Sequence, residues 1–103
     1  MDLNKKCFIT KDILINKKKI KFMYHERPDH ESDSGWRFFS GDETQEYVDD
    51  SSNLTYISLL EVIQNIDNSI EKYLNYEKNI AFERNNEKEE FKVSNYDFSL
   101  EKN

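Results

Sequence analysis

Hydrophobic and polar positions change period along this chain, and each change marks an element. Between residues 19 and 25, Ile20, Phe22 and Tyr24 alternate with Lys19, Lys21 and Met23, the two-residue period of a strand with one buried face. Short apolar runs at residues 7–10 and 13–15 predict two further strands, with Asn16-Lys17-Lys18 as a hairpin turn after the second. Pro28 and the polar stretch 29–35 break the pattern, and residues 35–40 return as an aromatic strand closed by Gly41. From Leu54 the period lengthens. Leu59, Leu60, Ile63, Ile66, Ile70, Tyr73 and Leu74 recur at three- and four-residue steps, predicting helices over 59–66 and 68–75. Ser58-Leu59-Leu60-Glu61 fits a capping box at the start of the first helix, and Asp67 is a candidate N-cap for the second. Alternation resumes at Ile80 and Phe82 and again at Phe91 and Val93. It predicts strands over 79–84 and 89–93 joined by a turn at Asn85-Asn86, residues that tolerate left-handed backbone.

Strands, then helices, then strands describe an α+β fold: a mainly antiparallel sheet with two short helices packed on one side. The expected core is Phe22, Tyr24, Phe38, Leu60, Ile63, Ile66, Phe82 and Phe91. At 103 residues the chain is expected to form one domain, with residues 94–103 a frayed tail unless Phe98 and Leu100 dock. Although 35% of the residues are charged, Leu, Ile, Val and Phe supply 26 of the 103, enough for collapse. With Gly 2 and Pro 1, linker-like and collagen-like readings fail. The lone Cys7 excludes an intramolecular disulfide, and its plainest reading is a small buried apolar residue. Neither a signal-peptide run nor 18 successive apolar residues occurs, so a cytoplasmic location is expected.

Charge sharpens the picture because it is unevenly placed. Residues 1–25 hold seven lysines against Asp2 and Asp12, whereas residues 26–50 hold nine acids against Arg27 and Arg37. The net charge is -6. Such a protein repels nucleic acid and anionic lipid and attracts basic surfaces.

Candidate chemistry is thin. His25 and His30 with Cys7 fall short of a zinc ligand set. The run Asp29-x-Glu31-x-Asp33-x-Gly35 imitates a calcium loop, but its glycine comes one place late and Ser40 stands where a bidentate Glu is needed. No Gly-x-Ser-x-Gly elbow and no glycine-rich phosphate loop exists. A carboxylate pair for glycosidase chemistry lacks the scaffold for a cleft. The expectation is therefore no catalytic residue, no metal and no cofactor. Trp36 reads first as a core anchor whose indole N–H finds a carbonyl, and second as an interface residue beside Arg37.

The run Ser34-Gly35-Trp36-Arg37-Phe38-Phe39-Ser40-Gly41-Asp42-Glu43 carries a resemblance. Phe22-Met23-Tyr24-His25-Glu26-Arg27-Pro28 lies upstream of it, Asp33 before it, Tyr47 after it and Ala81-Phe82-Glu83-Arg84 downstream. Over roughly residues 7–93 the chain resembles the DUF2185 family of small bacterial proteins, predicted immunity proteins of polymorphic toxin systems. It departs from that pattern at Asn68, where the family has a proline, and at 85–89, where glycines are common. The resemblance implies a non-enzymatic protein that binds a cognate protein toxin and occludes or locks it. Many such toxins are nucleases with basic grooves, which suits an acidic partner. The residues expected to face the partner are Asp33, Trp36, Arg37, Asp42, Glu43, Glu46, Asp49 and Asp50. Competing readings are a cytoplasmic accessory or regulatory interaction domain without a toxin, and a small hydrolase using His25 and nearby acids.

Overall fold

A computed structural model describes residues 1–98. Its centre is a six-stranded sheet built from β1 (Lys6–Thr10), β2 (Phe22–His25), β3 (Asp33–Phe39), β4 (Leu54–Ser58), β5 (Ile80–Glu83) and β6 (Lys92–Ser94). The spatial order is β4-β1-β3-β2-β5-β6, and every pairing is antiparallel except β1 with β3. Three α-helices punctuate it: α1 (Lys11–Asn16), α2 (Gln45–Asp49) and α3 (Leu59–Asn65). A 3-10 turn, Ser51–Asn53, leads into β4, and a 3-10 helix, Asn68–Tyr73, follows α3. The fold is α+β with a mainly antiparallel sheet, as the periodicity implies.

Side-chain alternation gives the sheet two unlike faces. Across the first, Ile9 stands beside Phe38, Phe38 beside Met23 and Met23 beside Phe82, while His25 pairs with Trp36. α3 and the 3-10 helix close over this face with Leu59, Val62, Ile70, Tyr73 and Leu74, completing the main core. Trp36 is fully buried there, and its indole Nε1–H donates to the Leu74 carbonyl at 3.3 Å. Ser58 and Asp67 cap as their sequence contexts predict, accepting from the Glu61 and Ser69 amides.

Several expectations need correction. Residues 13–15 are helix, not strand: Thr10 Oγ1 caps α1 by accepting from the Ile13 amide, Asp12 lies in the first turn, and Lys17 ends the helix in the left-handed conformation at φ 55°. An apolar triplet is too short to fix a period, and the cap decides. The helical contact stripe is Leu59 and Val62, with Ile63 and Ile66 half-buried at its margin, while Leu60 is 36% exposed. Met23, expected on the solvent side of its strand, is fully buried, and Phe22 and Tyr24 lie on the opposite face. The left-handed residue before β5 is Asn79 at φ 69°; neither Asn85 nor Asn86 is left-handed. Strand β4 and helix α2 have no counterpart among the elements predicted from sequence. Of the segment expected to fray, Ser94 closes β6, and Tyr96 and Phe98 lie against Tyr24, while Leu100 is outside the described residues. Among the described residues no helix is long and apolar enough to cross a membrane.

The parallel join of β1 and β3 contains an irregularity. From the pair Lys6–Asp33 to the pair Phe8–Arg37, β3 advances four residues and β1 two, and the excess is taken up around Gly35 at φ 88°. A Cβ there would lie 2.3 Å from the Glu26 carbonyl oxygen and 2.9 Å from the His25 ring. Gly41, also left-handed at φ 93°, would meet only the Lys21 side chain at 3.3 Å. Gly35→Ala is therefore expected to lose well over about 1 kcal/mol in urea titration, and clearly more than Gly41→Ala, because backbone must move only in the first. Equal losses would show that φ strain alone, not the close approach, sets the cost.

Candidate functional site

The second sheet face follows from the same alternation. Arg37 and Phe39 of β3, Phe22 and Tyr24 of β2, Phe8 of β1 and Tyr56 of β4 point away from the main core. Register sets Tyr56 beside Phe8, Phe8 beside Arg37 and Arg37 beside Tyr24. Phe22 lies between Phe39 and Glu83.

Arg37 anchors this face although it is only 4% exposed. Its two terminal nitrogens donate to the two oxygens of Asp33, each at 2.8 Å, in a parallel fork, and Nε–H donates to Glu26 Oε2 at 2.6 Å. The guanidinium carbon lies 4.9 Å from the centre of the Phe8 ring. Asp33 also accepts the Asp29 and Gly35 amides, at 2.8 and 2.9 Å, so the loop between β2 and β3 is laced to one carboxylate. Burial opposes the charge of Asp33. The hydrogen bonds from Arg37 and from the two amides outweigh it and hold its pKa at about 2, below the ordinary 3.8. Burial likewise opposes the charge of Arg37, and its bonds to Asp33 and Glu26 more than offset this, raising its pKa.

Beside this pair the face sinks into a groove of about 820 Å³. Phe8, Phe22, Tyr24, Phe39 and Tyr96 are among the residues lining it, α2 forms one wall with Val48 and Asp49, and Glu83 stands on the opposite side. Tyr24 stacks on Phe39 at 5.6 Å between ring centres and on Tyr96 at 4.6 Å. The wall is fixed by Glu43, whose carboxylate accepts from Thr10 Oγ1 at 2.6 Å and from the Ser40 and Gly41 amides at 2.8 and 3.0 Å. Thr44 caps α2 through the Tyr47 amide.

The eight residues expected to meet a partner divide. Asp33, Trp36 and Arg37 are inside the protein, Trp36 on the main core side and Arg37 on the groove side. Asp42, Glu46, Asp49 and Asp50 are exposed and Glu43 is half-buried, all on the segment that forms the wall. Asp42 pairs with Lys18 at 3.0 Å, and Asp49 accepts from Gln45 within α2. Asp50 is held below the ordinary carboxylate range by the Ser52 hydroxyl and amide. The aromatic residues of the groove were not singled out from sequence as site residues. The signal was present, since apolar residues occupy successive positions in Phe22-Met23-Tyr24 and in Phe38-Phe39, which one-faced strands do not need.

The residues with potential chemistry are otherwise engaged. Burial pushes the Cys7 thiol up to about 12, and Sγ–H points at the Ile57 carbonyl at 3.4 Å. The His25 ring stacks on Trp36 at 4.6 Å, with Nδ1 2.9 Å from the Tyr76 carbonyl and Nε2 3.0 Å from that of Ser34. His30 is on the surface against Tyr56, 3.2 Å from its hydroxyl. No group of three or more His, Cys, Asp or Glu side chains among the described residues could hold a metal ion. A second buried guanidinium, Arg84, donates to Asp67 Oδ2 at 2.8 Å and to the Ile20 carbonyl at 2.9 Å, tying the end of β5 to the 3-10 helix and to the strand entry.

Two outcomes follow from the Arg37–Asp33 geometry. Arg37→Met leaves Asp33 and Glu26 without their counter-charge and is expected to cost about 3–5 kcal/mol in urea titration. A loss under about 1 kcal/mol would mean that the fork contributes little beyond its packing. The pH dependence has a defined sign. Because the folded pKa of Asp33 lies below its unfolded value, its stabilising contribution is complete above about pH 4–5 and disappears as pH falls towards about 2. Asp33→Asn should flatten the acid limb of the stability curve in that window, and an unchanged limb would assign it to other carboxylates.

No curated protein and no solved structure matches the chain. A family model does: the immunity protein Imm33 domain, over residues 7–94, which takes in every strand from the core of β1 to the end of β6, the Arg37–Asp33 fork and the whole acidic wall. The chain belongs to the Imm33 family of immunity proteins.

Proposed function

We propose that this protein neutralises a cognate bacterial toxin by binding it directly, with no catalysis, metal or cofactor of its own. Family membership over residues 7–94 is the observation that carries this reading. The geometry agrees with a binding role. Both ring nitrogens of His25 face backbone carbonyls, and Cys7 is buried with a raised pKa, so neither is poised as base or nucleophile.

The partner is a protein with a basic surface rather than nucleic acid or membrane, and the encounter takes place in the cytoplasm. Glu46, Asp49 and Asp50 form the exposed acidic edge that meets it, with Asp42 and Glu43 completing the wall. Asp33, Trp36 and Arg37 serve the same surface from within: the fork and the indole hold the strand on which the groove is built. In this division of labour the acids speed encounter, and a few well-packed contacts set the lifetime of the complex.

The test uses the toxin encoded at the protein's own locus. Co-expression should rescue growth, and the purified proteins should form a stoichiometric complex. Glu46→Lys with Asp49→Lys should slow association about 10-fold at low salt and flatten its salt dependence, with the circular dichroism spectrum unchanged. If toxin and protein do not associate, the reading fails in favour of an accessory interaction domain. If they associate with an unchanged rate and salt slope, the acidic wall is not the edge that meets the toxin.

A further inference from the structure

The groove has a chemistry more specific than negative charge, and its description here rests on the reading of the partner as a basic toxin. Rings form much of its lining: Phe22, Phe39, Tyr24 and Tyr96 pack within 6.0 Å of one another between ring centres along the chain of contacts. Carboxylates ring that floor. Asp49 projects from the α2 wall, Glu83 stands beside Phe22 across the β2–β5 pairing, and Asp29, 71% exposed at its side chain, closes the far end. Of the cations that also line the groove, Arg37 is neutralised by Asp33 and Glu26 and Arg84 by Asp67, while Lys21 lies 4.0 Å from Asp42, which also pairs with Lys18 at 3.0 Å. Against that one loosely held cation stand Asp29, Asp49 and Glu83, so carboxylates are in excess around the rings.

We propose that this groove receives an arginine-bearing segment of the toxin, with the guanidinium laid over the aromatic floor and bonded to a rim carboxylate, Asp49 or Glu83. Aromatic faces attract a cation through their quadrupole, and a planar guanidinium can stack on a ring while its edge still donates to a carboxylate. Lysine offers no such plane. An anionic occupant, such as a phosphate or a nucleic acid strand, would meet these carboxylates with only Lys21 to receive it. The groove volume of about 820 Å³ has room for an arginine side chain with its flanking backbone. The protein already shows the contact on a small scale: Arg37 lies 4.9 Å over Phe8 and Arg84 4.1 Å over Phe91, each with a carboxylate at the guanidinium edge.

The experiment titrates the full chain with a capped Gly-Arg-Gly-Arg-Gly peptide and follows backbone and aromatic resonances by NMR. Its Lys and Glu counterparts serve as comparisons. Shifts are expected to concentrate on Phe22, Tyr24, Phe39 and Tyr96, with the arginine peptide binding more tightly than the lysine one and the glutamate one not at all. Asp49→Asn with Glu83→Gln should weaken the arginine peptide about 5-fold or more, whereas Glu71→Gln with Glu77→Gln, on other surfaces, should leave it unchanged. Ring shifts in these variants must match wild type before addition, so a folding defect would be visible. Shifts spread evenly over all acidic residues, or equal affinity for arginine and lysine, would overturn the proposal. So would sedimentation showing that a second copy of the chain covers the rings. A toxin that binds while Glu83→Gln and Phe39→Leu affect neither lifetime nor ring signals would remove the groove and leave the immunity reading intact. Failure of toxin binding with the peptide still seated would do the reverse.

Discussion

A guanidinium buried in the middle of the sheet is the constraint on which the other features of this protein hang. Arg37 stands on β3, flanked by β1 and β2, in a place where an unpaired charge would not be tolerated. It must have carboxylates, and the chain supplies them from both ends of the loop between β2 and β3: Glu26 as β2 ends and Asp33 as β3 begins. Pairing one arginine with both ends closes the loop on itself. The remaining capacity of Asp33 is filled by the amides of Asp29 and Gly35, so its charge is satisfied on every side. A segment rich in acids, which would otherwise repel itself, thereby acquires a fixed path. The fork also dictates the glycine, because Asp33 can reach back over Arg37 only if β3 bulges at Gly35 and the backbone passes close to Glu26.

Arg84 repeats the device at the end of β5. Its partner Asp67 is at once the N-cap of the 3-10 helix, a hydrogen-bond acceptor for the Ile20 amide and the counter-ion of the guanidinium. One carboxylate thus coordinates three segments distant in sequence. Both pairs use arginine, whose fork satisfies several acceptors at once, and in both the guanidinium is backed by a phenylalanine ring. Ion pairs of this kind are weak sources of net stability but strong sources of geometry, since leaving either member alone is far costlier than any misregister they prevent.

This explains which parts of the fold were legible in the sequence. Alternation and caps are local, and they predicted β2, β3, β5, α3 and the two caps at Ser58 and Asp67. The short run 13–15 was misread because three apolar residues carry no period and the deciding group, Thr10, lies just outside it. Strand β4 was hidden because all five of its residues are half-buried on an edge, with no clean alternation to read. The candidate site was only half legible for a different reason. Acids are visible in composition, but whether an acid faces water or an arginine is a long-range fact. Asp33 and Glu46 look alike in sequence, yet one is inside a fork and the other on the surface. The aromatic groove was harder still, because a second apolar face mimics a core until the position of the helices is known.

The distribution of aromatic residues then bears on function directly. The main core uses Trp36, Phe38, Tyr73, Phe82 and Phe91, and these suffice to pack α3 and the 3-10 helix against the sheet. Phe8, Phe22, Tyr24, Phe39, Tyr56, Tyr96 and Phe98 gather instead on the face that α2 covers only in part among the described residues. A fold needing only stability would place alternating polar residues there, as one-sided antiparallel sheets do. These rings are half-buried, with Tyr24 only 8% exposed, and pack on one another along the groove. In the proposed function this arrangement would separate two tasks: exposed acids on the wall act at a distance on how often a basic partner arrives, and rings act only in contact on how long it stays. The buried fork links the two, because Arg37 is both the base of the groove and the clamp on the acidic loop at its end. Loss of that single side chain would disorder both at once.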